Sequence, residues 1–345
     1  MQAVILVGGQ GTRLRPLTDT RPKPMMAVAD RPFVAYQLDL LRRHGVRDVV
    51  FSCGYRVEAL EGHFGDGSAY GLNLRYVVDP EPLGTAGAIK NAESALSPRR
   101  RILVLNGDIL TDLDLSALAA AHERSGALGT LTLTDVDDPS RYGLVRLYDN
   151  GRVEAFVEKP SEDQLRPGEP FRINAGTYLF EPEILAEIPA GINCSIERDV
   201  FPRLAEADKL AGFPATAYWL DIGTPESYLQ ANLDVLAGVV QSEGPTGDRY
   251  IGDGAQIAAD AVIDGGSSVG AGSVVGSTAR VRGTVVLDGV TIGAGATLDG
   301  AIVGAGAVVG DGAVLGAGVV VGDGAQIAPN TTLNGMSVPT GAVHP

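Results

Sequence analysis

The sequence predicts an α/β protein: a Rossmann-like, mixed and mostly parallel sheet flanked by helices, followed by a left-handed parallel β-helix of hexapeptide repeats. Three observations predict it. Through about residue 235, short apolar runs alternate with stretches of helical spacing. From residue 251 the texture changes to a six-residue period led by aliphatic residues. Between the two, "VVQSEGPTGDR" at 239–249 has the composition of a linker. The 345 residues suffice for two domains, expected at 1–238 and 251–338, with a linker at 239–250 and a tail at 339–345.

The first domain opens on "AVIL", an apolar run followed at once by glycines. "RPFVAYQLDLLRRHGV" sets Phe33, Tyr36, Leu40 and Leu41 on one helical face. "DVVFSC" and "LRYVV" read as strands, "GTAGAIKNAESAL" as a helix, and "RILVLNGD" as a strand ending in a turn. Near-continuous apolar strands such as "ILVL" suit burial on both faces, as parallel sheets require.

The repeat runs "IGDGAQ IAADAV IDGGSS VGAGSV VGSTAR VRGTVV" from Ile251, and "VGAGAV VGDGAV LGAGVV VGDGAQ IAPNTT LNGMSV" from Val303 to Val338. Between these blocks the frame slips by one residue twice, near "LDGVT" and "LDGAI". A flexible tail has no reason to place Ile, Val or Leu at every sixth position. The leading residues, among them Val303, Val309, Leu315, Val321 and Ile327, are therefore expected to stack inward. Alanine and serine would form the sides, while Asp311 and Asp323 would stay in water at the corners. The expected role of this domain is to assemble or stabilise subunits, giving a homo-oligomer (dimer, trimer or tetramer).

A net charge of −15 argues against a nucleic-acid partner, but a small phosphorylated ligand needs only a local basic cluster. Arg13, Arg15, Arg21 and Lys23 supply one within eleven residues. Cys53 and Cys194 make no disulfide framework, no apolar run reaches about 18 residues, and no signal peptide is expected. A cytoplasmic setting without a membrane partner is expected.

The basic cluster lies in "LVGGQGTRLRPLTDTRPKP" at 6–24, behind the first strand. Leu14 stands where a dinucleotide fingerprint would need its third glycine, and no G-K-[ST] follows. Glycines there still let backbone N–H groups turn toward a phosphate, with Arg13 and Lys23 adding positive charge. "RILVLNGDIL" puts Asp108, and "AYWLDIGTPESY" puts Asp221, just after apolar strands. Carboxylates at such an edge can hold Mg²⁺. Thr224 reads as a helix cap, with Pro225 at the first helical position and Glu226 in the first turn. Lysine is scarce, four against twenty-three arginines. Lys23 and Lys159, in "RPKP" and "VEAFVEKP", suit phosphate oxygens as point charges. Lys90 and Lys209 read as surface helix residues without chemistry.

Together these segments resemble the nucleotidyltransferases that make nucleotide-sugars, the sugar-nucleotide pyrophosphorylases, and most of all their mannose-1-phosphate guanylyltransferase branch. The opening pattern G-G-x-G-T-R-L-x-P-[LI]-T followed by P-K-P is matched from Gly8 to Pro24. "PLGTAG" at 82–87, "LNGD" at 105–108, "RYG" at 141–143 and "EKP" at 158–160 follow in family order. So do "INAGTYLF" at 173–180, "SIERDVFP" at 195–202 and "YWLDIGTP" at 218–225.

The resemblance implies the reaction NTP + sugar 1-phosphate → NDP-sugar + pyrophosphate, with GTP and mannose 1-phosphate favoured. Arg13 and Lys23 would be catalytic. Leu6, Gly8, Gly9, Gly11, Thr12, Arg13, Pro82, Gly84, Thr85, Gly87, Asn106 and Gly107 would contact the nucleotide, Gly84 and Gly87 permitting its close approach. Tyr142, Gly143, Glu158, Lys159, Asn174, Gly176 and Trp219 would receive the sugar phosphate, and Asp108 and Asp221 would bind Mg²⁺. An already anionic sugar phosphate needs no general base, which agrees with His44, His63, His122 and His344 lying outside every motif.

Three alternatives stay in view. An adenylyl- or thymidylyltransferase acting on glucose 1-phosphate or a cyclitol phosphate would share the opening loop, although thymidylyltransferases generally differ at "PLGTAG" and "LNGD". A non-catalytic regulatory or scaffold relative should have lost phosphate and metal residues, yet Arg13, Lys23, Asp108, Lys159 and Asp221 are all present. Acyl transfer by the β-helix would want an imidazole, and residues 251–338 contain no histidine, lysine or cysteine.

Overall fold

The computed structural model describes residues 1–54, 56–166 and 168–345. The chain begins with β1 (Gln2–Leu6), the short strands β2 (Ala27–Val28) and β3 (Arg31–Pro32), and helix α1 (Phe33–Arg43). There follow β4 (Asp48–Cys53), α2 (Val57–Phe64), β5 (Asn73–Val78), α3 (Gly84–Asn91), β6 (Ile102–Asn106), β7 (Ile109–Thr111) and α4 (Leu115–Ser125). Next come β8 (Gly129–Asp135), β9 (Gly143–Leu147), β10 (Val153–Glu158), β11 (Arg172–Phe180), α5 (Phe201–Glu206), β12 (Leu210–Pro214), β13 (Trp219–Asp221) and α6 (Pro225–Leu236). Two-to-three-residue strands continue to the C-terminus. No helix among the described residues is long and apolar enough to cross a membrane.

The contacts gather into two compact units, residues 1–9 with 38–219 and residues 10–37 with 220–345. In the first, a nine-stranded sheet runs β10-β9-β11-β6-β1-β4-β5, with β8 joining β11 to β12. β1, β4, β5 and β6 are parallel, while β9, β10 and β11 are antiparallel, so the sheet is mixed as expected. Val4, Val50, Ile102, Val104, Tyr178 and Phe180 build its core. The chain proceeds from β1 to β4 and β5 on one side and then returns to β6 on the other. That reversal falls at the carboxyl ends of β1 and β6, where open α/β sheets place their ligand crevices and where Leu6 lies in register with Asn106. α1 differs from expectation. Every residue from Phe33 to Leu41 is buried, including Gln37 and Asp39, because a helix covered on all sides has no solvent face.

In the second unit, three parallel sheets form the prism of a parallel β-helix, in the arrangement expected of a left-handed one. The first face stacks Arg249–Ile251, Ser267–Val269, Val285–Val286, Ile302–Val303, Val320–Val321 and Ser337–Val338. The second begins at Gln256–Ile257 and the third at Val262–Asp264. Val303, Val309, Leu315, Val321 and Ile327 are buried inside, as the period required. Ala279, Ala296, Ala307, Ala313 and Ala325 are buried with them, so these alanines fill the core rather than the sides. Each precedes an inward aliphatic residue by two, and Val290 and Val319 fill the corresponding position in other coils.

The frame slips are changes in coil length. Partners on successive coils lie 18 residues apart from Ile257 to Val275 and 17 apart from Val275 to Ile292. The short step always falls after the third face, at 281 to 286, 298 to 303 and 333 to 338, between buried inward residues. Gly283, Gly300 and Gly335 sit in these tightened corners at φ 51°, 67° and 55°. The slip expected near "LDGVT" therefore lies earlier, within "VRGTVV", and a third occurs in "LNGMSV".

One face of the prism is covered. Outward residues Val285, Ile302 and Val320 of the first face are buried, whereas Val274, Val308 and Val314 on the other faces are exposed. Gly266 lies so close to Leu233 of α6 that a Cβ would come within 2.9 Å of its side chain. The β2–β3 turn is held by α6 as well: Asn232 Oδ1 accepts from Ala29 N at 2.8 Å, and Tyr228 Oη donates to Ala27 O. Ala29 and Asp30 have φ 45° and 63°, a left-handed pair that suits a tight hairpin.

Asp30 meets Asp288, Asp253 and Tyr250 of the β-helix, and Tyr250 Oη donates to it at 3.3 Å. Burial, and then the neighbouring Asp288 carboxylate, push Asp30 up to about 6. A raised folded pKa means that its stabilising effect is present at low pH and lost as pH rises through about 6. Asp30→Asn is therefore expected to melt above wild type at pH 7.5, with the gain disappearing toward pH 4; thermal melts across that range check it.

Candidate functional site

In the first unit, the residues expected at the sugar phosphate come together at β9, β10 and β11, with Tyr142 and Lys159 flanking β9 and β10 and Trp219 on β13. Gly143 and Glu158 pair across the β9–β10 ladder. A side chain at Gly143 would collide with the Phe156 ring and press on the Glu158 carboxylate. Lys159 follows β10 at φ 50°, a left-handed conformation that costs a non-glycine residue about 1 kcal/mol or more. Its N–H donates to Tyr142 O at 2.9 Å, leaving an exposed lysine at the strand end. The Tyr142 ring stands edge-on to Trp219 with centroids 5.5 Å apart, and Trp219 Nε1 donates to Ala175 O at 2.9 Å.

Asn174 orients this region through the backbone. Its Nδ2 donates to Tyr178 Oη at 2.7 Å, and its Oδ1 accepts from Gly176 N at 3.0 Å. Gly176 has φ 72°, and a Cβ there would press on the Asn106 amide at 2.9 Å. Burial raises Glu158 above the usual carboxylate range, and Glu197 adds to the shift. Glu197 itself accepts from Thr85 Oγ1 at 2.7 Å and from Ser195 Oγ at 2.8 Å. It lies in a π-helical turn, Ile196–Val200. Nothing in "SIERDVFP" by itself gives Glu197 a role, but the structure puts its carboxylate near Glu158.

"PLGTAG" departs from expectation in one respect. The close approach that Gly84 and Gly87 permit is to the protein's own chain. A Cβ at Gly84 would meet Cys194 O at 2.6 Å, and one at Gly87 would meet Ile192 O at 2.8 Å. The first amides of α3 are used there too, Ala86 N and Gly87 N donating to Cys194 O at 3.0 and 3.2 Å. Gly87 is buried, whereas Pro82 and Gly84 are exposed and Thr85 is half-buried. At the crevice edge, Gly8 and Gly9 are exposed, and Gly107 N donates to Leu6 O at 2.9 Å. Asp108 follows, half-buried in the β6–β7 turn.

In the second unit, the glycine-rich loop folds onto the segment before α6. Gly11 has φ 62°, its carbonyl accepts from Thr18 Oγ1 at 2.8 Å, and Thr12–Leu14 forms a short 3₁₀ turn. Thr12 and Arg13 are exposed. Lys23 is only 8 % exposed, and its Nζ lies 3.7 Å from Asp221 Oδ1. Arg13 Nη2 lies 4.0 Å from Asp221 Oδ2. Two cations thus share one carboxylate. Gly223, which sequence reasoning did not single out within "DIGTP", makes room for this cluster: a Cβ would meet Arg13 Nη2 at 2.7 Å and Asp221 Oδ1 at 2.9 Å. Thr224, Pro225 and Glu226 start α6 as expected, with Thr224 Oγ1 accepting from Ser227 N at 3.3 Å. Lys209 lies in the turn after α5, not in a helix, and pairs with Glu187 at 2.5 Å.

An α/β sheet whose strand order reverses at β1 and β6, followed in the chain by a glycine-rich basic loop, marks the α/β ligand-binding class. Residues 2–238 match the nucleotidyl transferase family model, and residues 246–342 match that of the GMPPB C-terminal domain. The chain belongs to the nucleotidyl transferase family. It is 40 % identical over 278 residues to a mannose-1-phosphate guanylyltransferase of Mycobacterium tuberculosis, covering 78 % of this chain and 75 % of that one. Against the mannose-1-phosphate guanyltransferase of Saccharomyces cerevisiae it is 36 % identical over 271 residues, covering 76 % and 72 %. Among solved structures, HddC from Yersinia pseudotuberculosis complexed with GMP-PN is 30 % identical with a TM-score of 0.56, covering 67 % of this chain and 97 % of that one.

Gly223→Ala is expected to fold, because the atoms it crowds are the side-chain ends of Asp221 and of the Arg13 guanidinium rather than backbone. Moving that guanidinium should lower nucleotidyl transfer about tenfold or more. Initial rates and a thermal melt on the same preparation check both parts.

Proposed function

We propose that the protein joins an NTP to a sugar 1-phosphate, releasing pyrophosphate, with GTP and mannose 1-phosphate as its substrates. The observation that carries this reading is the Arg13–Asp221–Lys23 cluster in a chain of the nucleotidyl transferase family. It holds two cations on a glycine-rich loop, one buried and one exposed. The guanylyltransferase names of the relatives, and GMP-PN on the Yersinia protein, support guanine over adenine or thymine.

In the proposed reaction, a phosphate oxygen of the sugar 1-phosphate attacks the α-phosphorus of the NTP. A new P–O bond forms as the bond to the β-phosphate oxygen breaks, and pyrophosphate leaves with that electron pair. The nucleophile is already anionic, so no side chain need remove a proton. Arg13 and Lys23 act on triphosphate charge, which shifts during transfer, and preorganised cations are most effective against developing charge. Gly8, Gly9, Gly11 and Thr12 offer loop backbone to the phosphates, with Leu6, Asn106 and Gly107 bordering the nucleotide. In "PLGTAG", exposed Pro82 and Gly84 and half-buried Thr85 are the proposed nucleotide contacts, and Gly87 acts through packing. Lys159 takes the sugar's phosphate, Glu158 and Asn174 its hydroxyls, and Tyr142, Gly143, Gly176 and Trp219 shape the pocket.

Mg²⁺ is the proposed cofactor, with the carboxylates of Asp108 and Asp221 to hold it; carboxylate oxygens are the hard donors this ion takes. When bound, it would neutralise phosphate charge near the attacked phosphorus. Assembly into a homo-oligomer belongs to the same proposal, with Val274, Val308 and Val314 among the exposed apolar residues of the β-helix.

A matrix of four NTPs against several sugar 1-phosphates, scored by pyrophosphate release with Mg²⁺, tests the reading. GTP with mannose 1-phosphate should be fastest; preference for ATP or dTTP with glucose 1-phosphate overturns the assignment. Excess EDTA should abolish release, and Asp108→Asn and Asp221→Asn should each cost at least about tenfold in turnover. The lysines should separate kinetically. Lys159→Ala is expected to raise KM for the sugar phosphate, whereas Lys23→Ala should lower kcat. A Lys159→Ala effect confined to the KM for NTP would refute the sugar-phosphate assignment.

A further inference from the structure

The corner between the first and second faces of the β-helix carries one side chain per coil: Asp253, Ala271, Asp288, Ala305, Asp323 and Thr340. Backbone bonds stack them in that order, Gly272 N to Asp253 O, Gly289 N to Ala271 O, Gly306 N to Asp288 O, Gly324 N to Ala305 O and Gly341 N to Asp323 O. One carboxylate oxygen of Asp288 and of Asp323 accepts from the alanine amide of the preceding coil, at 3.0 and 2.8 Å. Asp311, at a different corner, does the same for Ala294 N at 2.8 Å. So far this is coil architecture.

The second oxygen is where the corners differ. Asp311 is exposed, but Asp323 is buried, against the expectation that both would stay in water. Its Oδ2 accepts from Arg21 Nη2 at 2.8 Å and from the Thr20 hydroxyl. One coil further, the Thr340 hydroxyl lies 3.3 Å from both Pro16 O and Asp19 Oδ2. Asp288 meets Asp30. The corner thus grips the glycine-rich loop at residues 16, 19, 20 and 21, between Arg13 and Lys23.

We propose that this corner is a rail that sets the geometry of the Arg13–Lys23 loop, and that Asp323 is a positioning residue for nucleotidyl transfer. The proposal rests on the reading of Arg13 and Lys23 as phosphate-binding groups. It gives the β-helix a part in the reaction without giving it chemistry. Asp323 touches no substrate; it acts through Thr20 and Arg21 on the loop that does.

The test compares full-length Asp323→Ala, Arg21→Ala and Asp311→Ala. Arg21→Ala removes the same grip from the loop side and keeps the test valid if Asp323→Ala fails to fold. Asp311→Ala breaks an equivalent coil bond with no loop contact. Backbone amide exchange over residues 10–24 should rise in the first two variants and stay at wild-type level in the third. In pyrophosphate release, the first two should lose at least about tenfold in kcat, with KM for the sugar phosphate within about twofold of wild type. Asp311→Ala should match wild type in both constants. Wild-type loop exchange in Asp323→Ala and Arg21→Ala, or an equal loss in Asp311→Ala, overturns the proposal. A wild-type protein inactive with every NTP and sugar phosphate overturns the functional reading instead, and amide exchange alone then decides the rail.

Discussion

A nearly buried ammonium needs a carboxylate, and the Lys23–Asp221 pair is the constraint on which the second unit's arrangement depends. Lys23 belongs to a loop near the N-terminus, whereas Asp221 lies almost two hundred residues later, at the entrance to α6. Holding them together folds the loop back onto α6. That helix is started by the Thr224 cap and carries the two side chains that clamp the β2–β3 turn, Tyr228 and Asn232. Arg13 then shares the same carboxylate from its exposed side. The pair costs desolvation that charge attraction only partly offsets. Its use is better understood as fixing where two cations stand than as adding stability.

The first unit solves a different problem with neutral groups and strain. Asn174 spends its amide on Tyr178 and Gly176, Trp219 is fixed by a backbone carbonyl, and Lys159 is held in a left-handed conformation by its bond to Tyr142. Groups so restrained hold one geometry without help from a bound partner. Glu158 and Glu197, by contrast, are like charges kept close, and Lys159 and Arg198 partly offset the repulsion on Glu158. The glycines of "PLGTAG" serve this unit by letting α3 pack on residues 192–194, the segment that leads into Glu197.

The β-helix joins the two kinds of order in the chain, periodic and irregular. Its coils are uniform enough that the same carboxylate-to-amide bond recurs at Asp288, Asp311 and Asp323. Uniformity leaves one oxygen of each carboxylate unspent, and what meets it depends on which corner faces the loop. A repeat that exists to stack therefore also offers evenly spaced anchoring points. The five-residue steps, confined to one corner, keep the faces in register over coils of unequal length.

What the sequence by itself determined was whatever is local or periodic. The six-residue period gave the inward residues, because only stacked coils bury an aliphatic residue at that spacing. "LNGD", "EKP" and "DIGTP" showed strand ends and a helix cap, because turn and cap chemistry acts over a few residues. What only the tertiary structure decided was which distant groups meet. Nothing near Asp221 in the chain announces Lys23, nothing near Glu158 announces Glu197, and Asp323 looks like Asp311 until the loop is seen against it. The role of Gly223 was hidden for the same reason, since the side chain it accommodates belongs to Arg13. Local sequence sets backbone geometry, but long-range charge pairing and close approach exist only once the chain has folded.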